Sequence, residues 1–275
     1  MTTVGVLHPG EMGSVLASVL PGRVLWVGAG RSDDSHRRAT EAGIDDVGSL
    51  AAMAAEADII LSVCPPEAAD ATATDVASAG FEGLYVDANA VSPETARRIS
   101  SRFDRFVDGG IVGPPPTAPG LTRLYLSGEE TSAVADLFAG TVVEARVVEG
   151  GPGAASAVKM CFASWTKGTS ALLLAIRALA DAEGVAGALL GEWETSLPEL
   201  VARSEKAAAA TGPKAWRFEG EMHQIADSFT SAGLPGDFHR GAAEIYRRMA
   251  PLKGRDGTTL ADALRLLDAR THARD

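Results

Sequence analysis

The sequence predicts an α/β half followed by an all-α half, joined by one long helix. Three observations predict it. The first 150 residues alternate short apolar runs with Ala- and charge-rich stretches. After Glu149-Gly150-Gly151-Pro152-Gly153 no further run reads as a strand. From Ala154 to about Ala182 apolar side chains recur nearly all round the helical wheel, over about eight turns. The expected division is therefore 1–150 and 151–275.

Strands are expected at Thr3–His8, Val24–Ala29, Asp58–Cys64, Leu84–Asn89, Arg105–Val112, Thr122–Ser127 and Val142–Val148. Apolar runs of this kind suit strands buried on both faces. The helical stretches between them point to a mostly parallel sheet. Ser32 before Asp33-Asp34, and Ser92 before Pro93-Glu94-Thr95, read as helix N-caps, the second with proline at the first helical position. The Ala154–Ala182 helix carries Val158, Phe162, Trp165, Leu172, Leu173, Ile176 and Leu179, the pattern of a helix buried on several sides. Shorter helices are expected near Trp193–Ala210, Phe218–Ala232, Asp237–Arg248 and Thr259–Asp268, separated by Gly- and Pro-containing stretches.

The chain of 275 residues is long enough for two cores, and its 46% hydrophobic and 22% charged residues are those of a globular protein. The net charge of −11 argues against a nucleic-acid partner, which needs a clustered basic surface. It leaves room for an anionic cofactor in a local positive pocket. Cys64 and Cys161 are far apart, and the five histidines show no ligand spacing, so neither a disulfide framework nor a metal is expected. No basic leader and no apolar run of spanning length is seen, which makes a cytoplasmic protein without membrane contact the expectation.

The most informative stretch is Val4-Gly5-Val6-Leu7-His8-Pro9-Gly10-Glu11-Met12-Gly13. An apolar run turns straight into a helix, presenting free N–H groups and the positive end of the helix dipole, which suits a pyrophosphate. In the G-x-G-x-x-G dinucleotide fingerprint these positions are His8, Gly10 and Gly13, so the first glycine is missing. His8, Pro9, Gly10, Glu11 and Met12 are the candidate pyrophosphate loop. The second strand ends at Gly28-Ala29-Gly30-Arg31-Ser32, where the adenosine ribose would be read. With Arg31 and Ser32 there, and no acid at the strand end, NADP (NADPH) is expected over NAD. Cys64, Pro65 and Asn89 end later strands on the same edge and should border ribose and nicotinamide. As competing readings, Cys64 can be a small apolar residue and Asn89 a local turn cap.

These motifs in order resemble the 6-phosphogluconate dehydrogenase-like superfamily, specifically the β-hydroxyacid dehydrogenases. Gly10-Glu11-Met12-Gly13, Gly30-Arg31-Ser32, Cys64-Pro65 and Asp87-Ala88-Asn89-Ala90 occupy the family's places, and Gly153-Ala154-Ala155-Ser156-Ala157-Val158-Lys159 matches its helix-opening motif with one Gly to Ala change. The resemblance implies a Rossmann NADP-binding domain, an all-helical substrate and dimerisation domain, a homodimer, and a small-molecule substrate bound between Rossmann domain and helices. It also implies that Lys159 is the catalytic acid/base, giving a proton to the developing alkoxide or taking one from an alcohol. A lysine among Ala, Val, Met, Cys and Phe is costly without a partner or a task. Lys167 is expected at the surface or an interface.

The departures lie on the substrate side. The family asparagine after the lysine is Ala163, the carboxylate-binding serine is Val112, followed by Gly113, and a second family lysine falls near Glu221-Met222-His223. At about 1.5–3 kcal/mol per charged hydrogen bond, losing these donors disfavours a simple 3-hydroxy acid. The leading expectation is a reductase or dehydrogenase of a small carbonyl or hydroxy compound. The alternatives are a C=N (imine) reductase using Glu221 and His223, and a non-catalytic NADPH-binding module. Trp165 and Met222 are expected to be packing residues.

Overall fold

The computed structural model describes residues 2–268. Its strands are β1 (Thr3–Leu7), β2 (Arg23–Trp26), β3 (Asp45–Asp46), β4 (Ile59–Ser62), β5 (Leu84–Asp87), β6 (Phe106–Val112), β7 (Thr122–Ser127) and β8 (Val143–Val147). They form one sheet in the order β3-β2-β1-β4-β5-β6-β7-β8. All pairings are parallel except β6 with β7. The order reverses at β1, and the C-terminal ends of β1, β4, β5 and β6 share one edge, where ligands bind in open sheets of this kind. Six helices connect the strands: α1 (Glu11–Val19), α2 (Asp33–Glu41), α3 (Leu50–Glu56), α4 (Ala69–Ser78), α5 (Pro93–Ser100) and α6 (Thr131–Leu137). Ser32 and Ser92 do cap α2 and α5, each accepting a backbone N–H three residues on. Val4, Val6, Leu25, Ile60, Leu84 and Val86 are fully buried, as runs covered on both faces require.

The chain falls into two compact units, Met1–Met160 and Cys161–Asp275. The division lies ten residues beyond the expected one, inside α7 (Ala154–Ala182). The reason is local. The first turns of α7 are bonded to the sheet: Asp108 on β6 accepts Gly153 N and Ser156 N at 2.9 Å each, and Ser156 Oγ at 2.6 Å.

The second unit holds the rest of α7 with α8 (Ala186–Ser196), α9 (Glu199–Thr211), α10 (Ala215–Ser231), α11 (Asp237–Met249) and α12 (Leu260–Leu267). The single helix expected at Trp193–Ala210 is two helices, because Pro198 cannot continue the first and disfavours helix at Leu197. Tyr246 Oη donates to the Lys167 carbonyl at 2.8 Å, and buried Arg177 donates to Ser204 Oγ at 2.7 Å, tying α11 and α9 to α7. Burial on several sides is only half true of α7. Ala171, Leu173 and Leu174 are buried, whereas Phe162, Trp165, Leu172 and Leu179 are exposed. At about 100° per residue these four fall within an arc of about 100°. Trp165 is thus no packing residue; it is 64% exposed, with the Arg203 guanidinium over its ring. Met222 is fully buried.

Candidate functional site

The β1–α1 turn is made by His8 itself. Its φ of +64° is the sole positive φ of a non-glycine among the described residues. That conformation is glycine's province and costs other residues about 1–2 kcal/mol. The His8 carbonyl accepts Gly10 N at 2.7 Å. A Cβ on Gly13 would lie 2.7 Å from the same oxygen, so only glycine lets α1 approach the turn. At Gly10, by contrast, nothing lies closer than 3.9 Å to an added Cβ. Gly10 is the N-cap of α1 and supplies no side-chain cap, leaving the first-turn N–H groups available to an anion. A backbone approach of this kind fits a pyrophosphate. Pro9 is buried, Met12 packs against the core, and Glu11 is exposed. Burial, with a smaller contribution from Arg31, lowers the His8 imidazole to about 4, so it is neutral at pH 7.

Arg31 is exposed just past β2, and Ser32 Oγ lies 3.1 Å from Ser35 Oγ. Two neighbours escape the sequence reading. Arg38, in the second turn of α2, donates Nε–H to the Pro9 carbonyl at 3.1 Å, joining this helix to the candidate loop. Among the described residues neither Arg31 nor Arg38 has a carboxylate partner, whereas Arg37 pairs with Asp34 at 2.8 Å. The second is Asp46, brought beside the end of β2 by β3, where Oδ1 accepts Gly28 N at 3.0 Å and Gly48 N at 2.9 Å. These two bonds lower its pKa. Only a two-residue strand signals Asp46 in the sequence, too short for any periodicity.

The ends of β4 and β5 are laced together. Asn89 Oδ1 accepts Cys64 N at 2.6 Å and its Nδ2 donates to Ser62 Oγ at 3.0 Å. The buried Asn89 side chain is a strut between strands, so it shapes the edge rather than reaching out from it. Burial, aided by the charge of Asp87, pushes the Cys64 thiol up to about 11, which makes it an inert thiol at neutral pH. Pro65 is exposed beside it.

Lys159 is half-buried on α7. A Cβ on Gly110 would lie 2.6 Å from the Ala155 carbonyl oxygen and 3.2 Å from Lys159 Cβ, so a glycine on β6 admits the helix at this point. Val112 is buried at the end of β6, and Gly113 follows with φ +123°. In the second unit Ala163 is buried. Lys167 is not a surface residue. It is paired with Glu221, their side chains 15% and 12% exposed, and its ammonium lies 4.4 Å from the centroid of the Phe218 ring. Glu221, expected at the substrate, is therefore engaged inside its own unit. His223 is exposed on α10, and residues two apart on a helix do not share a face, so Glu221 and His223 do not converge. Among the described residues no group of three or more His, Cys, Asp or Glu could hold a metal ion, and no helix is long and apolar enough to cross a membrane.

Residues 180–249 match the family described as Domain of unknown function (DUF1932). An uncharacterized oxidoreductase of Synechocystis sp. is 25% identical over 279 residues, covering 96% of this chain and 91% of that protein. The conserved protein MTH1747, of unknown function and with structural similarity to 3-hydroxyacid dehydrogenases, is 27% identical, with a TM-score of 0.68 over 91% of this chain and 97% of the other. Mycobacterium tuberculosis 3-hydroxyisobutyrate dehydrogenase, solved with L-serine, is 19% identical, with a TM-score of 0.69 over 97% and 99%. The sheet order, the long helix and these likenesses show a fold shared with those proteins, a Rossmann-type α/β domain followed by helices that include the segment matching DUF1932.

Proposed function

We propose that this protein is an NADP(H)-dependent oxidoreductase acting on a small carbonyl or hydroxy compound, with Lys159 as its general acid/base. The observation that supports this most is the seating of Lys159 over Gly110 of β6, a strand that ends on the same sheet edge as the β1–α1 turn. NADPH, when bound, supplies the hydride. The first-turn N–H groups of α1 and the open face of Gly10 would hold its pyrophosphate, and Arg31, Ser32 and Arg38 its 2′-phosphate. Lys159 Nζ would donate a proton to the carbonyl oxygen in reduction and accept it from the alcohol in oxidation. The imine-reducing alternative has less support, because Lys167 engages Glu221 and His223 faces elsewhere.

A screen of carbonyl, hydroxy and imine compounds for NADPH oxidation or NADP reduction would identify the substrate. Lys159→Met should then lose turnover at least 100-fold while NADPH binding, read by fluorescence titration, is unchanged. Normal activity in that variant would refute the mechanism.

The exposed Phe162, Trp165, Leu172 and Leu179 face supports a homodimer through the helical unit. Light scattering should report a dimer, and a Phe162→Glu, Trp165→Glu variant a monomer.

A further inference from the structure

Asp108 is fully buried on β6, yet it accepts four hydrogen bonds. Oδ2 accepts Gly153 N, Ser156 N and Ser127 Oγ, at 2.9, 2.9 and 3.1 Å, and Oδ1 accepts Ser156 Oγ at 2.6 Å. Ser127 Oγ in turn accepts Ala155 N at 3.0 Å. Three N–H groups that the start of α7 leaves without intrahelical partners are thus satisfied by the sheet. Burial raises the Asp108 carboxyl, and the four donors oppose that rise by favouring the ionised form; a negative charge at a helix N-terminus is also favoured by the dipole.

The contact has a second point. Gly110 lies two residues beyond Asp108, on the same face of β6. Lys159 lies three residues beyond Ser156, on the same side of α7. Asp108 meets Ser156, and Gly110 admits Ala155 and Lys159. Two contacts along one strand and one helix fix both the depth and the rotation of the helix where the lysine is borne.

We propose that Asp108 is a positioning residue for Lys159, locking the first turns of α7 onto β6 so that the lysine is presented at a fixed point of the sheet edge. This rests on the acid/base reading of Lys159 for its consequence in turnover, but not for the lock itself.

Asp108→Asn removes the charge and keeps the shape, and Ser156→Ala removes a single bond should the first variant fail to fold. Amide exchange at Gly153 and Ser156 should accelerate at least tenfold in Asp108→Asn. Acylation of Lys159 by acetic anhydride, read by peptide mass spectrometry, should change at least threefold while exposed Lys214 and Lys253 are unaffected. With the substrate from the screen, kcat should fall 10- to 100-fold, with the NADPH Kd within threefold. Wild-type exchange at Gly153 and Ser156 would overturn the lock. Faster exchange with unchanged Lys159 acylation and kcat would overturn the positioning. An active Lys159→Met protein would instead overturn the acid/base role and leave the exchange result standing.

Discussion

Asp87 and Asp108 are paired in register on neighbouring parallel strands, and both carboxyls are wholly buried. Burial raises both carboxyls, but their hydrogen bonding differs. Asp108 has its four donors. Asp87 is bonded by Asn89 alone, whose N–H lies 3.0 Å from Oδ1, and among the described residues its Oδ2 has no hydrogen-bond partner. Burial, together with the charge of Asp108, raises Asp87 to about 7. Tyr85 and Cys64 face it from β5 and the end of β4, and neither supplies a positive charge.

This predicts a stability profile. An unfolded aspartate loses its proton near pH 4, whereas native Asp87 keeps its proton to about 7. Over that interval the native chain binds more protons, so its stability falls as pH rises, and levels off above it. Asp87→Asn abolishes this loss. Urea denaturation at pH 4.5 and 8 should move the stability difference in favour of the variant by about 2–4 kcal/mol at the higher pH. An unchanged difference would show that Asp87 titrates normally.

His8→Gly should stabilise the protein by up to about 1 kcal/mol. The left-handed conformation costs histidine about 1–2 kcal/mol, and glycine's extra chain entropy returns part of the gain. His8→Val should do the reverse, since a β-branched residue at φ +64° is strained further. Thermal unfolding of the two variants checks the sign of each.

Arg31 and Arg38 should separate in cofactor titrations. Arg31→Ala is expected to weaken NADPH about 10- to 100-fold, as loss of a charged contact of about 1.5–3 kcal/mol implies, with NADH unchanged. Arg38→Ala should weaken both cofactors, because it also releases the Pro9 carbonyl. Tighter NADH than NADPH binding in the wild type would overturn the 2′-phosphate assignment and turn attention to Asp46.

Breaking the Lys167–Glu221 pair should be expensive. Glu221→Ala leaves a largely buried ammonium, at a cost of about 3–5 kcal/mol. Lys167→Met with Glu221→Leu should recover most of it, because an apolar pair of similar volume needs no desolvation of charge. Urea midpoints of the single and double variants give the comparison.

Much of this architecture is legible in the residues, because runs such as Ile59–Ser62 and Leu84–Asp87 have no amphipathic option but a doubly covered sheet. The Ala154–Ala182 limits also follow from pattern alone. Long-range partners do not. Lys167 meets Glu221 across 54 residues, and Asp46 reaches Gly28 across 18, with nothing local to mark either. Asn89 is visible as an edge residue, but its commitment to Cys64 and Ser62 depends on the strand register. The exposed face of α7 is not legible either, because an apolar face looks the same in sequence whether its own chain covers it or leaves it exposed.

The distant cap on α7 bears on folding and on recombination. Gly153 and Ser156 find their acceptor 45 and 48 positions earlier, so the helix start can be completed only after β6 is in place, however early its later turns form. A chimera spliced at 150/151 would join a foreign Asp108 to a native helix start and gamble on the match. A splice after Met160 would carry acceptor, donors and lysine together as one inherited block.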